Sequence, residues 1–125
     1  MKRTTKEWVR KAEADLLIAQ QCSRSKIALH DGVCFHCQQC TEKLLKALLA
    51  ELSLAIPRTH NLDDLLNLLL PHHANLRSLR RGLIFLTDFA VDPRYPGDSA
   101  SKRQAAAALR WTLRVREKCD GLLGV

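Results

Sequence analysis

The stretch Asp31-Gly32-Val33-Cys34-Phe35-His36-Cys37-Gln38-Gln39-Cys40-Thr41-Glu42-Lys43-Leu44-Leu45-Lys46-Ala47-Leu48-Leu49-Ala50-Glu51-Leu52-Ser53 decides the fold. At 100° per residue, Val33, Cys37, Cys40 and Leu44 fall together, while Phe35, Leu45 and Leu49 fall roughly opposite. The segment therefore reads as a helix that is apolar on two sides. It runs from around Asp31 to about Ser53, and the Ile56-Pro57 step ends it, because the residue before a proline avoids helical backbone. Roughly twenty residues give a helix of about 30 Å. A helix apolar on two sides belongs at the centre of a bundle, and one side can also meet a partner chain. We expect a homodimer, partly because two-fold dimers are the commonest oligomers.

Outward from this helix the apolar spacing stays helical, with no run of strict alternation that would make a half-buried strand. A first helix is predicted from Thr4, with Glu7 closing a capping box and Trp8, Ala12, Leu16 and Ala19 on one face, fading near Ser23 to Ser25. A short third helix is predicted from Asn61 as N-cap, with Asp63 and Asp64 near its positive end, to Leu70 before Pro71. A fourth carries Leu76, Leu79, Leu83, Leu86 and Ala90 in a 3-4-3-4 repeat. A fifth runs from about Ser99 to Leu122, with Ala105, Ala108, Leu109, Thr112 and Cys119 along one side. The expected fold is all-α, an antiparallel bundle of four long helices and one short one. His72 and His73, after Pro71, read as a surface turn.

At 125 residues the chain fits one domain over 1–125 and excludes a second full one. By area scaling it buries about two thirds of its surface, so neither disulfide nor metal is needed to hold a core. Twenty Lys and Arg against 13 Asp and Glu leave a net charge of +7, which favours acidic partners such as nucleic acid, nucleotide phosphates or an acidic protein. Aromatics make up only 5%, which argues against a single-strand binder built on stacked rings. Met1-Lys2-Arg3-Thr4-Thr5-Lys6 leads into an amphipathic stretch and not an apolar h-region, and no stretch approaches a membrane span. Five cysteines, an odd number, without a targeting segment read as reduced thiols, so a cytoplasmic location is expected.

Cys34-x2-Cys37-x2-Cys40 has the spacing of some metal clusters, yet on a helix these residues fan across about 120° and cannot converge on one ion. They read as small core residues, as do Cys22 and Cys119, and no metal or cofactor is expected. On a flank of the same helix His36, Gln39, Lys43 and Lys46 form a polar strip, either donors for a phosphate or base edge or a solvated face. Arg103, Arg110, Arg114 and Lys118 line up on the fifth helix opposite its apolar face, either tracking a nucleic-acid backbone or simply solvated beside Glu117. In Pro93-Arg94-Tyr95-Pro96-Gly97 two prolines stiffen the backbone around an arginine and the only tyrosine. Arg94 held in this way suits bidentate phosphate recognition, and a rigid helix connector explains the loop equally well. Arg58-Thr59-His60 precedes the third helix, where Thr59 or His60 can act in local capping.

Trp8 with Lys11-Ala12-Glu13-Ala14-Asp15-Leu16, then Phe35 to Leu48 with its Phe-His-x-Gln-Gln-x-x-Glu-Lys core, then Thr59-His60-Asn61-Leu62 and Arg94-Tyr95-Pro96, occur in the order of the HEPN domain, the higher-eukaryote and prokaryote nucleotide-binding helical domain. The chain resembles that family over nearly its whole length. In many relatives alanine stands where Cys37 and Cys40 stand here. The resemblance implies a dimeric bundle, frequently paired with a small nucleotidyltransferase in a toxin-antitoxin-like module. Many relatives bind nucleotides or RNA, and some branches are metal-independent RNases. Those nucleases carry an Arg, four to six residues, then a His that acts as acid-base group near the 2′-hydroxyl. No His follows Arg94, and the formal match Arg24-x5-His30 lies between the first two helices.

The resemblance therefore implies a binding and interaction module. Its ligand-contacting residues are expected to be His36, Gln39, Lys43, Lys46, His60, Arg94 and Tyr95, facing nucleotide or RNA phosphates or the nucleotidyltransferase partner. The alternative is an RNase toxin in which His36 or His60 acts as base and Arg94 stabilises the phosphorane.

Overall fold

A computed structural model describes residues 1–91 and 95–125. In chain order it contains α1 (Arg3–Ser23), α2 (His30–Glu51), α3 (Leu62–Leu69), a 3-10 segment (Ala74–Leu79), α4 (Arg80–Thr87) and α5 (Lys102–Leu123), with no strand among the described residues. The all-α bundle expected from the sequence is the one observed. Its exposed area of 7364 Å² is close to the roughly 6,700 Å² that area scaling gives for this mass.

α2 is the central helix: it packs on α1, α5, α3 and α4. Val33, Cys37, Cys40, Leu44 and Leu48 are buried on one side and Leu45 and Leu49 on the other, where the expected Phe35 is only partly buried. The core continues through Ala12, Leu16 and Ala19 of α1, Leu62, Leu65, Leu66 and Leu69 of α3, and Ala105, Ala108, Val115 and Cys119 of α5. Trp8 is only partly buried at the margin of its face. Small residues on α1 and α5 let both helices approach α2 closely, and removing one buried leucine from such a core costs about 2–5 kcal/mol.

The predicted N-terminus of α3 forms as read. Asn61 Oδ1 accepts from the backbone N–H of Asp63 (3.0 Å) and Asp64 (3.2 Å), and Thr59 Oγ1 accepts from Asn61 N–H at 3.1 Å. α5 opens on a full capping box, with Ser101 as N-cap and Gln104 closing it, two residues later than the expected Ser99. The box expected at Thr4 and Glu7 does not form. α1 starts after Lys2, which makes no side-chain cap. There the backbone N–H of Lys2 donates to Glu51 Oε1 (2.9 Å), as does the Thr5 hydroxyl (2.8 Å), so α2 supplies the acceptor that a local cap would otherwise provide. Glu7 instead faces Arg3 at 3.7 Å.

The fourth helix is not one long element. Leu76 and Leu79 lie on the 3-10 segment, Leu83 and Leu86 on the eight-residue α4, and Ala90 lies beyond its end. The four leucines are buried all the same. A spacing of three suits a 3-10 turn as well as an α-helix, so the core face persists while the backbone changes type. Thr87 ends α4: its hydroxyl donates to Leu83 O (2.8 Å) and accepts from Leu62 N–H (3.1 Å), tying α4 to the start of α3.

Candidate functional site

The polar strip predicted on α2 lies at its seam with α1 and with the segment leading into α3. Asp15 points from the apolar face of α1 into this seam and is buried. One of its carboxylate oxygens receives His36 Nδ1 at 2.8 Å, and the other is paired with the Lys43 ammonium. The side chains of His36 and Lys43 keep 26% and 23% of their surface exposed, so each is anchored at its base and reachable at its tip.

A second carboxylate organises the rest. Glu42 is buried and accepts from Lys46 Nζ at 2.9 Å, from His60 Nδ1 at 2.8 Å and from Gln38 Nε2 at 3.2 Å. Gln38 is itself buried; its amide also donates to His60 O (3.0 Å), and its Oε1 accepts from Gln39 Nε2 (2.7 Å). Burial raises the carboxyl pKa of Glu42, but hydrogen bonds from Lys46 and His60, the Lys46 charge and the Gln38 bond outweigh it and hold the group below its ordinary value. The Lys46 side chain is only 8% exposed, and its ammonium lies 5.8 Å from the centre of the Trp8 ring. Every buried side-chain nitrogen and oxygen among the described residues has a partner.

Five of the seven predicted contact residues thus belong to one connected surface, running from His36 and Lys43 through Gln39 to Lys46 and His60. They differ in what they can offer a ligand. Lys43 and Lys46 are paired with acids of the same chain, and Lys46 is enclosed. His36 and His60 each give Nδ1 to a carboxylate, which fixes the ring and leaves Nε2 as the remaining polar atom. The His60 side chain is 67% exposed. Tyr95 is 84% exposed, and Arg94 lies outside the described residues. Arg24 forms the C-cap of α1, and His30 is the first residue of α2. His30 lines a small apolar groove there with Cys22, Ile27 and Lys102, and Arg24 does not.

The strip itself was legible, but its organisers were not. Asp15 and Glu42 carry the site, and each left a signal in the sequence. Asp15 falls among Ala12, Leu16 and Ala19 on an apolar face, where a carboxylate needs a partner. Glu42 stands four residues after Gln38 and four before Lys46, the spacing at which side chains meet on a helix.

The cysteines behave as core. Cys34, Cys37, Cys40 and Cys119 are buried, Cys22 is partly buried against the core, and no metal-holding group of His, Cys, Asp and Glu occurs among the described residues. Burial pushes the Cys37 thiol up to about 11, against a hydrogen bond with Thr112, and the Cys119 thiol up to about 12. Cys40 is raised as well, by burial first and then by neighbouring negative charge. None of the described helices is long and apolar enough to cross a membrane.

Comparison with curated proteins gives no match. The chain is similar to an archaeal HEPN homologue, ST0689, whose crystal structure superposes with a TM-score of 0.77 at 25% identity over 98% of each chain. It is also similar in fold to TT1696 from Thermus thermophilus, with a TM-score of 0.79 at 23% identity over 96% of this chain and 98% of the other. The family model described as the HEPN domain matches residues 5–122. Coverage of this extent, on a five-helix bundle of the matching fold, shows that the chain belongs to the HEPN domain family.

Proposed function

We propose that the chain is a HEPN binding module that holds a nucleotide or RNA phosphate at the α1–α2 seam. In this reading it works beside a small nucleotidyltransferase in a toxin-antitoxin-like pair, as a homodimer in the cytoplasm. The observation that carries the ligand reading is the division of labour in the seam. Lys43 and Lys46 are bound to Asp15 and Glu42, while His36 and His60 are oriented by those same carboxylates with Nε2 left over. When protonated, two imidazoles oriented in this way beside Gln39 each turn an Nε2–H outward that can donate to a phosphate oxygen. The dimer is a separate proposal. Phe35 on the second apolar side of α2 is only partly buried, so a second copy would use it or exposed apolar residues such as Leu17, Ile84 or Leu113.

A second reading has an observation of its own. A carboxylate holding Nδ1 is also how a general-base histidine is oriented, which would let His36 or His60 take a proton from a 2′-hydroxyl in a metal-independent RNase. Such a reaction also needs positive charge at the phosphorane, and the two lysines nearest the imidazoles are already neutralised. Metal-free incubation with total RNA, read on a denaturing gel beside His36→Ala and His60→Ala, separates the readings. Intact RNA that nevertheless binds supports the module. Discrete products with 2′,3′-cyclic phosphate ends, lost in either variant, establish the RNase.

A further inference from the structure

A wide cleft lies away from the seam, between the 3-10 segment and the C-terminal half of α5. It is an open groove of about 590 Å³, floored by Leu79 and Leu122, with Asn75, Trp111, Arg114 and Lys118 among its walls. That volume is within the range of natural ligand sites.

Its central feature is an arginine whose position is built in three layers. Gly82 of α4 is buried, and a Cβ there would overlap the Trp111 ring, so the indole sits directly on the glycine backbone. On Trp111 lies the Arg114 guanidinium, its central carbon 5.0 Å from the ring centre. A cation–π contact of this kind holds the guanidinium over the ring while its N–H groups stay available for bidentate contact with an oxyanion. Arg114 is exposed and pairs with no acid among the described residues, as is true of Arg110 one turn earlier. In the seam, by contrast, every lysine is paired. Lys118 donates weakly to Asn75 O at 3.4 Å, which links the two walls. Glu117 is the acidic residue on the rim.

We propose that this groove docks a short acidic segment of a partner protein. A carboxylate of the segment pairs with the Arg114 guanidinium, a second lies near Arg110, and an apolar side chain rests on Leu122, above the buried Leu79. Two features favour a peptide over RNA. The floor is aliphatic, and the indole is already covered by Gly82 and Arg114, so a base finds no free ring on which to stack. The net charge of +7 supplies the matching attraction at long range.

The test is fluorescence anisotropy at physiological salt with a labelled synthetic peptide of Asp and Glu carrying one central Leu. Its controls are a Leu-to-Ser version and a single-stranded RNA of equal charge. Saturable binding of the Leu peptide is expected, weakened about tenfold by Arg114→Ala and by the Ser substitution in the peptide, as for a central interface arginine and its apolar anchor. Glu117→Gln should tighten binding, and Arg103→Ala, outside the groove, should leave it unchanged. Circular dichroism of Arg114→Ala guards against loss of fold, and Arg114→Lys, which keeps charge but not the fork, should also weaken binding. The proposal is overturned by absence of peptide binding, by RNA binding that Arg114→Ala abolishes while the peptide does not compete, or by equal losses in Arg103→Ala and Arg114→Ala.

Discussion

Replacing Glu42 with Gln removes one charge and almost no volume from the most enclosed part of the seam. The Glu42 and Lys46 side chains are 6% and 8% exposed, so the ammonium left behind has little access to water. Breaking one side of a buried pair costs about 3–5 kcal/mol. The lower end applies here, because Lys46 keeps its contact with the Trp8 ring at 5.8 Å and the glutamine oxygen can still accept one bond. A loss of about 3 kcal/mol lowers the melting temperature of a chain this size by about 10 °C. Urea unfolding followed by circular dichroism and by tryptophan fluorescence measures it. The double replacement Glu42→Leu with Lys46→Met should recover most of the loss, since an apolar pair in place of a buried ion pair is often neutral. The acid limb gives an independent reading. The folded pKa of Glu42 lies below its ordinary 4.5, so its contribution is present above that value and disappears as pH falls from about 5 through the folded pKa. Wild type should therefore lose stability on acidification more steeply than Glu42→Gln. A cost under about 0.5 kcal/mol, the range of ordinary surface substitutions, would refute the picture of a closed, charge-paired seam.

Three further outcomes are expected. A thiol reagent at pH 8 should modify partly buried Cys22 in the folded protein and reach Cys34, Cys37, Cys40 and Cys119 only in denaturant; a chelator should not change the melting temperature, and a drop of several degrees would argue for a metal. Gly82→Ala should destabilise the fold by about 1–3 kcal/mol through the clash with Trp111, visible as a shifted urea midpoint and altered tryptophan emission, and a neutral result would show that the indole is free to move. Ser101→Ala should cost about 1 kcal/mol by opening the capping box of α5, with Ser101→Asn close to wild type.

The sequence was most legible where local rules act alone. The two-sided apolar pattern of α2 identified the central helix, and Asn61 marked the start of α3, because its side chain needs only the next two or three residues. It was least legible where partners come from far along the chain. Thr4 and Glu7 have the spacing of a capping box, yet Lys2 and Thr5 turn to Glu51, nearly fifty positions away. The leucines from Leu76 to Leu86 revealed their burial but not their backbone, since one turn of 3-10 and one of α-helix present the same face. The strip from His36 to Lys46 could be read from helical geometry. Its pairing with Asp15, 21 positions before His36, depends on how α1 packs across α2.

The binding reading rests on the imidazoles of His36 and His60 as the ligand-facing groups of the seam, and affinity for a fluorescent single-stranded RNA tests it most directly. We would compare wild type with the His36→Ala, His60→Ala double variant, without metal, at low and at physiological salt. With both imidazoles protonated, so that each Nε2–H can donate, loss of two hydrogen bonds to charged phosphate oxygens, at about 1.5 kcal/mol each, predicts an affinity lower by about a hundredfold, with wild-type binding that weakens as salt rises and RNA recovered intact. Equal affinity in wild type and double variant would contradict the account and move the RNA-binding surface away from the seam.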